Sequence, residues 1–494
     1  METIRSSGTL LRYAFAVVLF CAGALALCAA IGVDTTQQAP FPEIFIVNST
    51  GDGDDAFPGD GQCETAVGNG VCTLRAAIEE ANAHAGGDGI GFSIPASQQY
   101  CDATTGACTI YPTKALPNIS DSVNINGPGA DKLNVQNVIS LFQIFNVTTS
   151  GTVNISSLTI GSPIAGQGAS AGTGIQNSNS GTVNVSNCRF INNAVSNSSN
   201  NTVAGGAGIY NNSGTVQVTS STFSFNRADS ALESRGAGIY NKTGAVTVVN
   251  STFNNNNADV GGGIFNENGV VNVIGSTFHD NGAFNSGGGI SSYAGTLNVT
   301  NSTFYANIAY SRRSSGAFGV GGGIANFNPA TLNLTNSTVS ANSSGAVGSG
   351  VFNNGTANVK STIIALNYGG VDIFGGFGGV SPDVSGAFIS QGFNLIGKKD
   401  GSTGFTAATD KKGTIASPLN PKLDPRGLRD NGGPTQTIAL VAGSPAIDKG
   451  TSNGLTGTLT ADQRGFSRTV DNSSIPNPPG GDGTDIGAFE FGAH

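Results

Sequence analysis

The stretch that decides the fold reads Gly261-Gly-Gly-Ile264-Phe-Asn266, then Gly269-Val-Val271-Asn-Val273, then Ser276-Thr-Phe278-His-Asp-Asn281. Val271 and Val273 alternate with polar residues at the period of a strand, and no helical periodicity appears within the unit. The pattern recurs along the chain. Phe190, Phe223, Phe253, Phe278 and Phe304 anchor five copies, Ile160 an earlier one, and Val339 and Ile363 two later ones, at spacings of 30, 33, 30, 25, 26, 35 and 24 residues. The base period is about 24 residues, and longer copies carry insertions. A unit this short cannot bury its own apolar face, so it must stack on its neighbours. Two or three strands per unit, joined by corners, predict a right-handed parallel β-helix with coils about 4.8 Å apart.

Polar positions repeat with the same phase. The third residue after each anchor is Asn193, Asn226, Asn256, Asn281, Asn307 and Asn342. A second rank follows the Gly-rich turn at Asn177, Asn211, Asn241, Asn266, Asn326 and Asn353, with Ser292 as the exception. Asn tolerates left-handed corners, and stacked amides can bond one another along an axis. Ser221, Ser251, Ser276 and Ser302 precede their anchors by two, and Cys188 holds that same place, which marks it as a small buried residue. The Gly-rich turn lacks the last Gly of a dinucleotide fingerprint and no helix follows it, so it serves corners and close packing.

The paired Gly-Gly-x-Ile and Phe-x-x-Asn signatures resemble the repeats of the chlamydial polymorphic outer membrane proteins, which implies an extracellular β-helix with adhesin-like roles. The segment Val71-Cys72-Thr73-Leu74-Arg75-Ala76-Ala77-Ile78 resembles the CSLREA domain of exported bacterial repeat proteins. Leu74, Ala77, Ile78 and Ala81 share one helical face, and Thr73 is placed as N-cap. Ala76 stands where the family has Glu, which removes the capping-box partner. A short helix here would cover the open end of the solenoid. Near the other end, Asn394-Leu-Ile-Gly397, Asp430-Asn-Gly-Gly-Pro-Thr435, Gly443-Ser-Pro-Ala-Ile-Asp448, Asp462-Gln-Arg-Gly465 and Asp485-Ile-Gly-Ala-Phe-Glu490 together resemble the choice-of-anchor Q domain. That resemblance implies an exported surface or secreted protein. Asp448, Asp462, Arg464 and Asp485 are expected to join in a buried ionic network that holds loops together.

The expected organisation is a signal peptide over 1–30, an N-terminal cap over 41–130, β-helix repeats over 131–393 and a loop-rich C-terminal domain over 394–494. The signal reading rests on Arg5 and Arg12 before an apolar run from Tyr13 to Ala30 with small residues at its end. An uncleaved anchor is the alternative, and it is the only route to a membrane. Cys21 and Cys28 fall inside this segment. Cys63 with Cys72, and Cys101 with Cys108, are read as two local disulfides of an oxidising compartment. Four thiolates can also bind zinc, but spacings of nine and seven are wider than zinc knuckles.

Composition narrows function. The 494 residues include 74 Gly and only 11% charged residues, with a net charge of −9. An acidic chain lacks the basic face that nucleic acid requires. Catalysis on polysaccharides needs two or three clustered carboxylates, and residues 131–390 hold few. Asp229 and Asp259 each lie six residues after an anchor in consecutive coils. They would stack as a carboxylate pair, or as a Ca²⁺ site, if the insertion after Asp229 keeps the register. Glu233, Arg227 and Arg235 lie close by in sequence. The loop Asp52-Gly-Asp54-Asp55, with Asp60 nearby, also offers oxygen ligands, although it lacks the spacing and closing Glu of an EF-hand. No catalytic residue, and no cofactor beyond that Ca²⁺, follows from the sequence. The expected role is a cell-surface or secreted structural or adhesive protein whose ligands are polysaccharides or surface proteins. The alternative is a pectate-lyase-like lyase or glycoside hydrolase.

Overall fold

The computed structural model describes residues 43–84, 86–137, 142–161, 174–197, 204–230, 233–311, 319–369 and 381–493. Residues 1–30, expected as a signal peptide, lie outside the described residues. Within them the chain is a right-handed parallel β-helix. One coil shows the rule: Ile264–Asn266, Gly269–Ile274, Thr277–His279 and Gly282–Ser286 are short strands separated by corners. Each pairs in parallel with its counterpart in the next coil. Coils thus carry four strands rather than two or three. The stretch after the Phe-x-x-Asn corner has no alternation to announce it, but its backbone still joins a ladder. Stacking builds a long-strand sheet and a phenylalanine sheet of 12 strands each, a glycine-turn sheet of 10 and a fourth sheet of 9.

Inward side chains stack in ranks. Val246, Val271, Leu297, Leu332 and Ala357 are register partners on the long-strand sheet, and all are buried. The rings of Phe190, Phe223, Phe253, Phe278 and Phe304 stack nearly parallel, with centroids 4.4–4.9 Å apart. Burial of each contributes about 1.5–3 kcal/mol, and each ring pair about 0.5–1.5 more. Val339 continues the rank, followed by Ile364 and not Ile363. Ile363 is the register partner of Thr338, one place outward, where it joins a separate apolar cluster with Leu440 and Ile447.

The glycine turn has two steric reasons. Gly261 has φ +63°, and a Cβ there would stand 2.3 Å from the Ile264 carbonyl oxygen. A Cβ on Gly263 would stand 2.9 Å from the Phe278 ring, so the third Gly makes room for the anchor. At the other corner the left-handed residue is Asn255, Asp280 or Ala306, the one before the ladder Asn rather than the ladder Asn itself. This frees the Asn side chain to point inward. Asn193, Asn226, Asn256, Asn281, Asn307, Asn342 and Asn367 each donate Nδ2–H to the next coil's side-chain oxygen at 2.8–3.0 Å. A second buried ladder links Asn177, Asn211, Asn241 and Asn266, then passes to Ser292 Oγ. In the serine rank, each hydroxyl accepts the backbone N–H of the coil before it, and Cys188 opens this rank. Burial pushes the Cys188 thiol up to about 11, which keeps it protonated and inert.

The solenoid extends beyond both expected boundaries. Ile44–Val47, Asp88–Phe92 and Val123–Asn126 are the first three strands of the long-strand sheet. The helix Leu74–Ala83 lies between the first two of these in sequence, with Thr73 Oγ1 accepting Ala76 N–H. Leu74, Ala77, Ile78 and Ala81 pack with Phe45, Val47 and Ile90 in the main core. Disulfides join Cys63 to Cys72 and Cys101 to Cys108. At the other end, Lys411–Lys412 is the last strand. Residues 413–493 then run back along the outside of the phenylalanine sheet as a strap. Thr277 Oγ1 donates to the Gln436 carbonyl at 2.6 Å, Thr303 Oγ1 to Gln463 Oε1 at 2.6 Å, and Ala488 N to Thr338 Oγ1 at 3.1 Å.

Candidate binding flank

On the glycine-turn sheet the Ile of each strand points inward and the next residue points outward. Tyr210, Tyr240 and Phe265 are register partners in this outward rank. Tyr293 and Phe327 continue it from the turn that follows, and Phe352 returns to the strand. Successive rings meet largely edge to face, with centroids 5.1, 5.4, 4.8, 5.0 and 5.4 Å apart from Tyr210 to Phe352. Tyr240 and Phe265 are buried at the centre of the rank. Tyr210, Tyr293, Phe327 and Phe352 are half-buried.

A charged cluster closes over the buried centre. Arg235 Nε bonds Glu233 Oε1 and Arg235 Nη1 bonds Glu267 Oε1, each at 2.9 Å. Its guanidinium carbon stands 5.2 Å from the Phe265 centroid, a cation–π contact. The Tyr240 hydroxyl donates to Glu267 Oε2, and the Tyr293 hydroxyl to Glu233 Oε2 at 3.5 Å. Burial, reinforced by Glu233, pushes Tyr293 up to about 12, and burial with the Glu267 hydrogen bond pushes Tyr240 higher. Both phenols therefore stay protonated donors at neutral pH. One guanidinium bridges the two carboxylates. The arrangement offers aromatic faces beside hydroxyl donors and carboxylate acceptors, which is binding chemistry.

Asp229 and Asp259 bond different groups. Asp229 is the register partner of Ser196 and bonds Arg227 Nε. The register between coils runs Arg227↔Asn257 and resumes at Arg235↔Val260, so the ladder is interrupted across the span that holds Asp229 and Asp259. Asp259 is buried and accepts Ser234 N–H at 2.8 Å and Ser234 Oγ–H at 3.0 Å. The neighbours Glu233 and Arg235 enter the flank. Glu267 escaped the sequence reading, since a lone acid in a turn carries no spacing signal.

The acidic N-terminal loop is engaged by the protein. Asp52 holds the Arg75 guanidinium, with Nε at 3.0 Å and Nη2 at 3.1 Å, and Asp54 pairs with Lys114 at 2.7 Å. Asp55 accepts the backbone N–H groups of Phe57 and Glu64, and Asp60 that of Gln62. Among the described residues no three His, Cys, Asp or Glu side chains are placed to hold a metal.

The strap does gather its expected ions. Arg464 pairs with Asp462 at 2.7 Å and stacks over Phe489 at 3.7 Å. Asp485 accepts the N–H groups of Asp448 and Phe491. Two more members belong to the network. Fully buried Arg468 donates to Asn301 Oδ1 on the solenoid at 2.6 Å and to the Gly487 carbonyl at 3.0 Å, and it stands 3.9 Å from Glu490. Every one of these groups is spent on holding the strap. Searches against protein families, curated proteins and solved structures find no match for this chain.

Proposed function

We propose that this protein is an exported, surface-displayed or secreted β-helix that binds glycan chains along its glycine-turn flank. The aromatic rank carries the proposal: rings repeat once per coil, four of the six reachable, beside the Glu233–Arg235–Glu267 cluster. A polymer lying along the axis would meet equivalent platforms at each step. Two disulfides fit an oxidising compartment. No described helix is long and apolar enough to cross a membrane. The motif resemblances to CSLREA and choice-of-anchor Q proteins support the export reading and add no ligand.

The test is retention on a panel of immobilised neutral and acidic polysaccharides, with released chain ends measured in parallel. Tyr293→Ala and Phe327→Ala should each weaken retention by about tenfold, equivalent to about 1.4 kcal/mol. Retention unchanged in the double variant would remove the flank from the proposal. New chain ends lost in Glu233→Gln would replace the binding role with a polysaccharide-cleaving one.

A further inference from the structure

The first amide ladder ends at Asn367, and its last rung differs from the rest. Asn367 Oδ1 accepts two N–H groups from the preceding coil, Asn342 N at 2.9 Å and Asn342 Nδ2 at 3.0 Å. Its own Nδ2 meets a carboxylate instead of another amide, donating to Asp383 Oδ1 at 2.9 Å. The second oxygen of Asp383 accepts Lys398 N–H at 2.6 Å. Lys398 Nζ then turns back and donates to the backbone carbonyl of Asn367 at 2.5 Å. Asn367 is 1% exposed, Asp383 0% and Lys398 9%. Gly397 admits the carboxylate, since a Cβ there would stand 2.7 Å from Asp383 Oδ2.

An amine, a primary amide and a carboxyl group are thus sealed together away from water. The amide and the carboxylate are already placed for one reaction, and the amine lies beside them on the Asn367 main-chain carbonyl. Two N–H donors on Oδ1 are the arrangement that stabilises negative charge developing on an amide oxygen under attack. Asp383 touches the nitrogen that would depart. Burial raises the Asp383 carboxyl above its ordinary range, which makes it a competent proton carrier. Enclosure replaces a bimolecular encounter with an internal one. The other rungs, Asn226 through Asn342, share the paired N–H donors but have an Asn where Asp383 stands.

We propose that Asn367 and Lys398 become joined by an intramolecular isopeptide bond. Lys398 Nζ swings from the Asn367 main-chain carbonyl, its partner in this structure, onto the Asp383 carboxylate and passes it a proton, and the free amine then attacks Cγ of Asn367. The Nζ–Cγ bond forms and the Cγ–Nδ2 bond breaks. Asp383 returns its proton to the departing nitrogen, which also takes a second proton from Nζ. Lysine enters as an ammonium group and nitrogen leaves as ammonium ion, so charge and atoms balance without oxidant, metal or cofactor. The bond would staple the last full rung of the ladder to the coil that closes the solenoid. It is independent of glycan binding.

Intact-mass measurement of the purified full chain, followed by peptide mapping, tests this. After reduction of the two disulfides, the expected mass is one ammonia below that of the mature sequence, with a branched peptide linking Asn367 to Lys398. Lys398→Arg and Asp383→Asn should each return to their full sequence mass. Folded parent protein that keeps its full mass after long incubation overturns the proposal. A branched peptide joining any other pair overturns the assignment. The parent mass alone decides the matter if a variant fails to fold.

Discussion

The solenoid body and the strap solve the same problem by opposite means. Both bury polar groups beside apolar ones. In the body the buried polar groups that repeat once per coil are neutral amides and hydroxyls. In the strap the buried polar groups include ionisable side chains that do not repeat: Asp462, Arg464, Arg468, Asp485 and Glu490. The difference follows from repetition. A charge at a repeated position would lie one strand spacing from its own copy, and like charges that close repel. An amide carries both donor and acceptor, so identical copies satisfy one another. The strap repeats nothing, and so can place each carboxylate beside a guanidinium or a set of backbone N–H groups.

The largest effect expected from breaking this contrast lies in the body. Asn256→Ala strands Asn226 N–H, Asn226 Nδ2–H and the Phe223 carbonyl in a dry core. Each such group costs about 1–3 kcal/mol. Denaturant melting should show a large drop in midpoint, with Asn256→Ser recovering only part of it. Arg468→Met comes next, at about 3–5 kcal/mol, because it leaves buried carboxylates without their cation. Its effect should be confined to the strap. Limited proteolysis should cut within 413–493 while circular dichroism keeps the strand signal. If the whole solenoid melts instead, the two regions are one cooperative unit.

A pH series sharpens the comparison without mutation. Burial raises the carboxyls of Asp485 and Glu490, which face Arg468, Asp448 and Asp462. The folded strap therefore holds protons that the unfolded chain gives up near pH ~4. The stability they contribute is complete below that range and is lost as pH climbs through the raised values. The denaturation midpoint of the strap should fall from mildly acidic to alkaline pH, and Glu490→Gln should flatten the slope. The coils between Phe190 and Phe304, whose stacked amide and hydroxyl ranks carry no charge, should show little such slope, which hydrogen exchange can resolve. The smallest effect on stability is expected on the flank. Arg235→Gln removes partly exposed ion pairs worth about 0–1 kcal/mol, so melting should barely move while glycan retention falls.

The repeat was legible because stacking forces one residue type onto one position. Phenylalanine, asparagine and serine ranks could be counted before any coordinates. The fourth strand of each coil was not legible, since Asn257–Val260 and its neighbours share one small buried residue, Ala228, Ala258, Ala283 or Ala309, and no alternation around it. Ile363 and Ile364 could not be told apart by hydropathy, and only pairing with Val339 separates them. The strap's motifs were visible, but not where they dock. Thr277 and Gln436 meet across 159 residues with nothing periodic to connect them. Arg468 lies outside every quoted motif, and its importance is visible only through full burial. The flank was half legible: Glu233 and Arg235 stood near the acids that sequence favoured. Tyr240 and Glu267 needed the register of adjacent coils to be seen together.

The amide ladder also bears on how such a protein can change over time. Its rungs index whole turns and are indifferent to how many residues lie between them. Coils 25 and 35 residues long lock onto their neighbours equally well. Loss or duplication of one complete turn would hand each rung a partner of the same kind as before. The length of the solenoid, and with it the reach of its flank, is thus free to vary by units while its cross-section stays constant.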